Sequence, residues 1–333
     1  MKKIINKPNE VVEDSLKGFL KANVEHVSYY KKNSRVVLSA YNYDKPKVGV
    51  VSGGGSGHKP AFIGYVGKNI LDAVAVGEVF SSPPASAFYN AIKAADQGRG
   101  VACLYGNYAG DNMNVKIALN RIKKENIEVR TVVAKDDVAS AKKGEEEKRR
   151  GVAGEILMWK IAGAKAAMGA DLDYVINIAE KTINQTRSVG IGLSPCTIPD
   201  VGHPNFQIKS GKMEFGIGHH GEPGIEVLDM ATSKVVAGKM LETILTDFQF
   251  SVKDEVVVLL SGLGSTPMQE LYILYNDISD QLIENGILVR RSLVGNYFTS
   301  LEMGGATLTL LKLDAELKEC FDYPVRCAAF TSI

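Results

Sequence analysis

The chain has 333 residues, which is long for one hydrophobic core and predicts two domains. Hydrophobic residues make up 45% of it and charged residues 23%, the balance of a globular protein. Its formal net charge of +1 excludes a general electrostatic attraction to nucleic acids or to anionic membranes. No apolar run has membrane-spanning length and no signal-type core develops at the amino terminus, so we expect a cytoplasmic protein. The four cysteines show no CxxC pair or zinc spacing, which predicts reduced structural thiols.

The first half of the chain alternates β-rich runs with helical ones. Strands are predicted at 47–52, within 73–80, at 100–104 and at 128–134, with helices ending near 95 and spanning 112–124. This rhythm predicts an α/β layer with a largely parallel sheet. Glycine-rich or polar loops follow the strands, at the sheet edge where such folds bind ligands.

The second half begins with a charged run at 142–150, predicted to be a solvated loop, and two helices at 151–168 and 172–186. Further along, a glycine-rich stretch at 215–224 precedes a helix at 233–246. Strands are predicted at 255–260, 287–293 and 307–312. We therefore predict two α/β domains, 1–187 and 188–333.

The turn after the first predicted strand reads Gly-Gly-Gly-Ser-Gly-His and ends at His58. A Walker A loop would end in Gly-Lys-Ser/Thr, and the dinucleotide fingerprint requires a third glycine where His58 stands. Neither motif is present, which argues against a nucleotide cofactor and a dinucleotide-dependent dehydrogenase. A tight structural turn explains the glycines but not a histidine at the tip, so a structural and a functional role for His58 both stay open.

Two further candidates have equally plain alternatives. Asp111 opens a predicted helix, where an acid is either an N-cap or a catalytic group. His219 and His220 are adjacent in a glycine-rich segment, so in an extended conformation they would point to opposite sides. No third ligand has a recognisable spacing, which argues against a metal site.

Seven motifs give these signals a common meaning. In chain order they are SGGGSGHKP, GEVFSSP, GNYAGD, RRGVAGE, CTIP, EFGIGHHGEPGI and GLGSTPMQELY. The series resembles the substrate-binding subunits of dihydroxyacetone kinases over almost the whole chain. The resemblance implies a two-domain α/β protein, usually a homodimer, with a largely parallel sheet in the first domain and a mixed sheet in the second. It also implies that dihydroxyacetone is captured at the domain boundary without a cofactor.

The resemblance assigns the central role to His220, which directly precedes Gly-Glu-Pro-Gly. A ring nitrogen of this histidine adds to the ketone carbon and forms a hemiaminal. Such an adduct distinguishes a ketone from glycerol, and it supplies affinity that contacts to so few atoms cannot. The neighbouring His219 has no comparable role and is expected to be structural.

The other site residues are implied by the first domain. His58 matches a histidine that hydrogen-bonds the ligand, and Asp111 matches the acid that takes the hydroxyl proton during phosphoryl transfer. Gly55, Ser82 and Gly106 fall on positions that line the ligand.

Departures from the catalytic pattern divide two functions. Gly106 stands where catalytic members carry lysine, Lys59 replaces a glutamate, and the rim at 82–86 differs. Loss of the lysine removes charge stabilisation that phosphoryl transfer depends on. We therefore predict a non-catalytic paralogue that senses dihydroxyacetone and acts as coactivator of a TetR-type transcription factor, without contacting DNA or membrane itself. The alternative is a kinase subunit that presents dihydroxyacetone to a separate nucleotide-bearing subunit, because the chain is too short to include a nucleotide-binding helical domain.

Overall fold

The computed structural model describes residues 2–332. The strands are β1 (Val27–Tyr29), β2 (Val36–Ser39), β3 (Gly49–Gly54), β4 (Gly67–Lys68), β5 (Ala73–Val76), β6 (Val101–Gly106), β7 (Val129–Ala134), β8 (Thr186–Ser194), β9 (Lys212–Phe215), β10 (Glu226–Asp229), β11 (Glu255–Gly262), β12 (Leu288–Gly295), β13 (Gly304–Leu313), β14 (Val325–Cys327) and β15 (Thr331–Ser332). The helices are α1 (Val11–Ala22), α2 (Ala85–Ala95), α3 (Ala109–Ile122), α4 (Gly154–Ala167), α5 (Leu172–Asn184), α6 (Ser233–Asp247), α7 (Met268–Glu284) and α8 (Ala315–Asp322). The predicted α/β class is confirmed.

The chain divides into two compact units whose segments interleave. The first unit contains Met1–Ala134, Glu155–Thr182 and Leu317–Ile333, and the second contains Lys135–Gly154 and Ile183–Glu316. This division differs from a single boundary after residue 187, because the chain passes between the units four times. Tertiary pairing is the reason: β14 adds to β4 in antiparallel register, which holds the end of the chain in the first unit.

The sheet of the first unit has the strand order β1-β2-β5-β3-β6-β7. Strands β5, β3, β6 and β7 are parallel to their neighbours, as predicted, and only the β1–β2–β5 edge is antiparallel. Every residue of β3, β5 and β6 is buried, which explains why these strands read as continuous runs of small and apolar residues. The carboxyl ends of β3, β5 and β6 therefore present their loops at one edge of the sheet.

The sheet of the second unit has the order β10-β9-β8-β13-β11-β12. Only β11 and β12 run parallel, so the predicted mixed sheet is confirmed. Helices α6 and α7 bury apolar residues at helical spacing in this unit's core, including Val236, Met240, Leu271 and Ile278.

The charged run at 142–150 is only partly the solvated loop that its composition predicts. Arg149 at its end is 1% exposed. Its Nη1 and Nη2 donate to the two carboxylate oxygens of Asp247 at 2.9 and 2.5 Å, and Arg187 Nε donates to the same carboxylate at 2.7 Å. The interpretation was wrong for Arg149, because its partner lies 98 residues away and leaves no local pattern.

The cysteines are buried thiols. Among residues 2–332, no group of three or more potential metal-ligating side chains could hold a metal ion. Within the same described range, no helix is long and apolar enough to cross a membrane.

Candidate functional site

The glycine turn follows β3 and is shaped by close packing. Gly55 precedes the short 3-10 helix Ser56–His58. A Cβ atom on Gly55 would lie 3.1 Å from the backbone nitrogens of Phe80 and Ser81, and a Cβ on Gly57 would overlap the Phe80 ring. The turn therefore requires glycine because a neighbouring loop lies directly against it, and not to form a phosphate cradle.

His58 lies at the end of this short helix and is 3% exposed. Its ring centroid is 5.2 Å from that of Phe80 and 6.3 Å from that of Phe62. Phe80 has a φ of +53°, an unfavourable conformation for a bulky residue that the surrounding structure must hold in place. The structure gives His58 a fixed aromatic setting, and its hydrogen bond to a ligand stays a prediction.

Ser82 and Asp111 lie within hydrogen-bonding distance of each other. Ser82 Oγ donates to Asp111 Oδ1 at 2.9 Å, and Asn114 Nδ2 donates to Ser82 Oγ at 3.2 Å. Asp111 is the third residue of α3, whose N-cap position is Tyr108, so the N-cap alternative for Asp111 is wrong. The positive end of the helix dipole and the serine hydroxyl both favour an ionised carboxylate here, which is the form that accepts a proton from a ligand hydroxyl.

Gly106, the last residue of β6, faces a buried carboxylate. Glu155, in the first turn of α4, is 1% exposed. A Cβ atom on Gly106 would lie within 3.0 Å of Glu155 Oε1 and 3.1 Å from Glu155 Cδ. The space beside Gly106, into which a longer side chain would project, therefore holds an acidic group.

His220 belongs to the glycine-rich loop between β9 and β10. The loop is closed by hydrogen bonds from Gly218 N to Glu222 O at 3.0 Å and from Gly221 N to Gly218 O at 3.1 Å. Gly221 has a φ of +85°, which glycine adopts without strain. Asn205 Nδ2 donates to His220 O at 2.9 Å, so the backbone of the histidine is fixed from both sides.

Glu222 sets the chemistry of the His220 ring. Its Oε1 lies 3.0 Å from His220 Nδ1, and its Oε2 accepts a hydrogen bond from His220 N at 2.9 Å. Burial acts to raise the pKa of Glu222, but the hydrogen bond and charge of His220, together with Arg150, outweigh burial and hold that pKa well below its ordinary value. An ionised carboxylate only accepts hydrogen bonds, so Nδ1 carries the proton and the lone pair of a neutral His220 lies on Nε2. That nitrogen is a suitable nucleophile for a carbonyl carbon.

His219 has a different environment, as expected of a structural residue. It is 1% exposed, its Nε2 lies 2.9 Å from Thr307 Oγ1, and its ring centroid is 4.9 Å from that of Phe298. Burial, assisted by the charge of His220, lowers the pKa of His219 to about 3, which keeps the ring neutral.

The predicted residues thus fall into two groups. Gly55, His58, Ser82, Gly106 and Asp111 belong to the first unit, and His220 belongs to the second. The convergence of His220, His58 and Asp111 on one cleft stays a prediction.

Residue-level sequence reasoning missed Glu222, Arg150 and Glu155. All three lie inside the quoted motifs, Glu222 in HHGEPG and the other two in RRGVAGE. Charged residues inside glycine-rich motifs were therefore the available signal.

Comparisons with known proteins agree with these motifs. The profile of the Dak1 domain matches residues 17–329. The chain is 44% identical, over 95% of both chains, to the dihydroxyacetone-binding subunit DhaK of PTS-dependent dihydroxyacetone kinase 1 from Listeria innocua. It is 40% identical, over 97% of both chains, to the corresponding subunit of dihydroxyacetone kinase 2 from the same bacterium. The solved structure of the dihydroxyacetone kinase operon co-activator Dha-DhaQ has a TM-score of 0.89 at 30% identity, covering 98% of this chain and 99% of its own. The chain belongs to the Dak1 family.

Proposed function

We propose that this protein is a cytoplasmic sensor that binds dihydroxyacetone covalently through His220 and, when liganded, acts as coactivator of a TetR-type transcription factor. Ligand binding is supported by the pairing of His220 with Glu222, which directs the Nε2 lone pair toward addition to a ketone. It is also supported by the dihydroxyacetone-binding subunits that this chain resembles at 40–44% identity.

The coactivator role depends mainly on the contact between Gly106 and Glu155. Phosphoryl transfer requires positive charge beside the transferred group, since negative charge is spread over its oxygens in the transition state. Here the side chain of residue 106 is absent, and a buried carboxylate occupies the adjacent space. This arrangement retains the ligand-binding groups but places charge of the wrong sign next to Asp111's strand–helix loop. The structural likeness to the co-activator Dha-DhaQ supports the same interpretation.

The second candidate is the substrate-binding subunit of a multi-subunit dihydroxyacetone kinase. Two observations favour it: the hydrogen-bonded Ser82–Asp111 pair that a general base requires, and the higher identity to kinase subunits than to the co-activator. Under this function a separate subunit would supply the nucleotide.

Reconstitution separates the two functions. The protein is mixed with the cognate nucleotide-bearing and phosphoryl-donor subunits, and formation of dihydroxyacetone phosphate is measured. We expect binding of dihydroxyacetone without turnover, together with a ligand-dependent complex with a TetR-type regulator in size-exclusion chromatography. Turnover at an ordinary kinase rate of about 1–100 per second would establish the kinase function instead.

A further inference from the structure

Arg150 is held firmly beside the loop that carries His220. Its Nε and Nη2 lie 3.0 and 2.9 Å from Asp137 Oδ2, and Asp137 is 2% exposed. Its Nη2 also donates to Gly216 O at 3.3 Å, and its backbone nitrogen donates to Ser140 Oγ at 2.9 Å. Burial raises the pKa of Asp137 while the Arg150 charge opposes the rise, so each charge depends on the other. The guanidinium therefore has a single preferred position.

From this position Arg150 reaches the partner of His220. Arg150 Nη1 lies 3.8 Å from Glu222 Oε2, and the other oxygen of that carboxylate lies against His220 Nδ1. Gly218 leaves the space in which the two charged groups meet. A Cβ atom on Gly218 would overlap Arg150 Nη1 and Glu222 Oε2, and would lie 2.8 Å from Glu222 Cδ. A continuous series of contacts thus connects Asp137, Arg150, Glu222 and His220 within the second unit.

We propose that Arg150 is a positioning residue for His220, because its guanidinium fixes the Glu222 carboxylate that orients the ring and selects its tautomer. The inference deepens the proposed function and rests on it for its biological meaning. It assigns a role to the second arginine of the RRGVAGE motif that composition alone would leave as a solvated charge.

The addition to dihydroxyacetone shows why this position matters. The Nε2 lone pair of His220 forms a bond to the ketone carbon, the carbonyl π electrons move to oxygen, and that oxygen takes a proton from water. The ring becomes an imidazolium with its proton still on Nδ1, and Glu222 either balances this charge or accepts the proton, which then returns to solvent. A carboxylate held by Arg150 at 3.8 Å stays ionised and in place through both stages.

The direct test is the tautomer of His220 in the ligand-free protein, followed by 15N NMR of histidine-labelled samples and assigned by comparison with His220→Asn. In the wild type we expect the proton on Nδ1. In Arg150→Met we expect the Nε2-protonated form to gain population, and affinity for dihydroxyacetone to fall by about 10–100-fold, the range found for groups that orient reactive histidines at metal sites. Arg150→Lys should recover part of both.

Arg149→Met is the matched control, since it removes the adjacent buried guanidinium, which pairs with Asp247. It should lower stability without changing the His220 tautomer. A folded Arg150→Met protein with the wild-type tautomer and affinity would overturn the proposal. If Arg150→Met does not fold, Gly218→Ala decides, because its methyl group displaces Glu222 while Arg150 remains; an unchanged His220 tautomer in that variant refutes the role. The tautomer is read without ligand, so a wild type that fails to bind dihydroxyacetone contradicts the proposed function but leaves this test intact.

Discussion

The contact between Gly106 and Glu155 predicts that Gly106→Ala destabilises the protein, although alanine usually stabilises a site that glycine occupies without a positive φ. The new Cβ would lie within 3.0 Å of Glu155 Oε1, a distance that real Cβ atoms essentially never show. Glu155 is 1% exposed, so its carboxylate has no open path to solvent and must shift inside the packed interior.

The magnitude follows from two opposing effects. Overpacking a buried site costs about 1–3 kcal/mol, and the lower half of that range applies because the clashing atom ends a flexible side chain. Replacing glycine restricts the unfolded chain and returns about 0.4–1 kcal/mol. We therefore expect a net loss of about 1 kcal/mol, roughly a fivefold fall in the ratio of folded to unfolded protein.

Urea denaturation of four proteins measures this value: the wild type, Gly106→Ala, Glu155→Ala and the double variant. Removing the carboxylate should abolish the cost of the added methyl group, so the cycle should give a coupling of at least about 1 kcal/mol. Gly18→Ala on α1 is the control, because no atom lies within 4 Å of its Cβ, and it should stabilise by up to about 1 kcal/mol.

A Gly106→Ala protein as stable as the wild type would refute the reasoning. Strict additivity in the cycle would do so equally, because it would mean that Glu155 does not occupy the space beside residue 106.

Three further predictions concern the second unit and α4. His220→Ala should abolish dihydroxyacetone binding in calorimetry, whereas His219→Ala should retain binding and lose about 1–3 kcal/mol of stability, because its hydrogen bond is buried; the opposite pattern would reassign the nucleophile. The folded state depresses the pKa of Glu222 below its ordinary 4.5, so its stabilisation is complete above that pH and is lost as pH falls toward the folded value. Urea titrations between about pH 6 and 3 should show a shallower loss for Glu222→Gln, and an unchanged slope would contradict this. Trp159→Phe removes the indole donor to Leu104 O at 3.2 Å and should cost about 1–3 kcal/mol by leaving a buried carbonyl without its partner, measured by thermal unfolding; a cost near zero would show that the bond contributes little.

The sequence by itself determined the kind of fold and the local chemistry. Alternating apolar runs are a local signal, and they located most strands and helices to within a few residues, such as α6 and β11. Motifs are local as well, which is why HHGEPG singled out His220 and why GNYAGD singled out Asp111.

Tertiary structure decided which groups act on those residues. The interleaving of the two units depends on strand pairing between distant segments, as when β14 joins β4. The position of the Glu155 carboxylate against Gly106 and the burial of Arg149 on Asp247 likewise join residues dozens of positions apart. A charge in a sequence carries no sign of its partner, and a buried charge requires one, so the burial of these groups is decided only when the chain has folded.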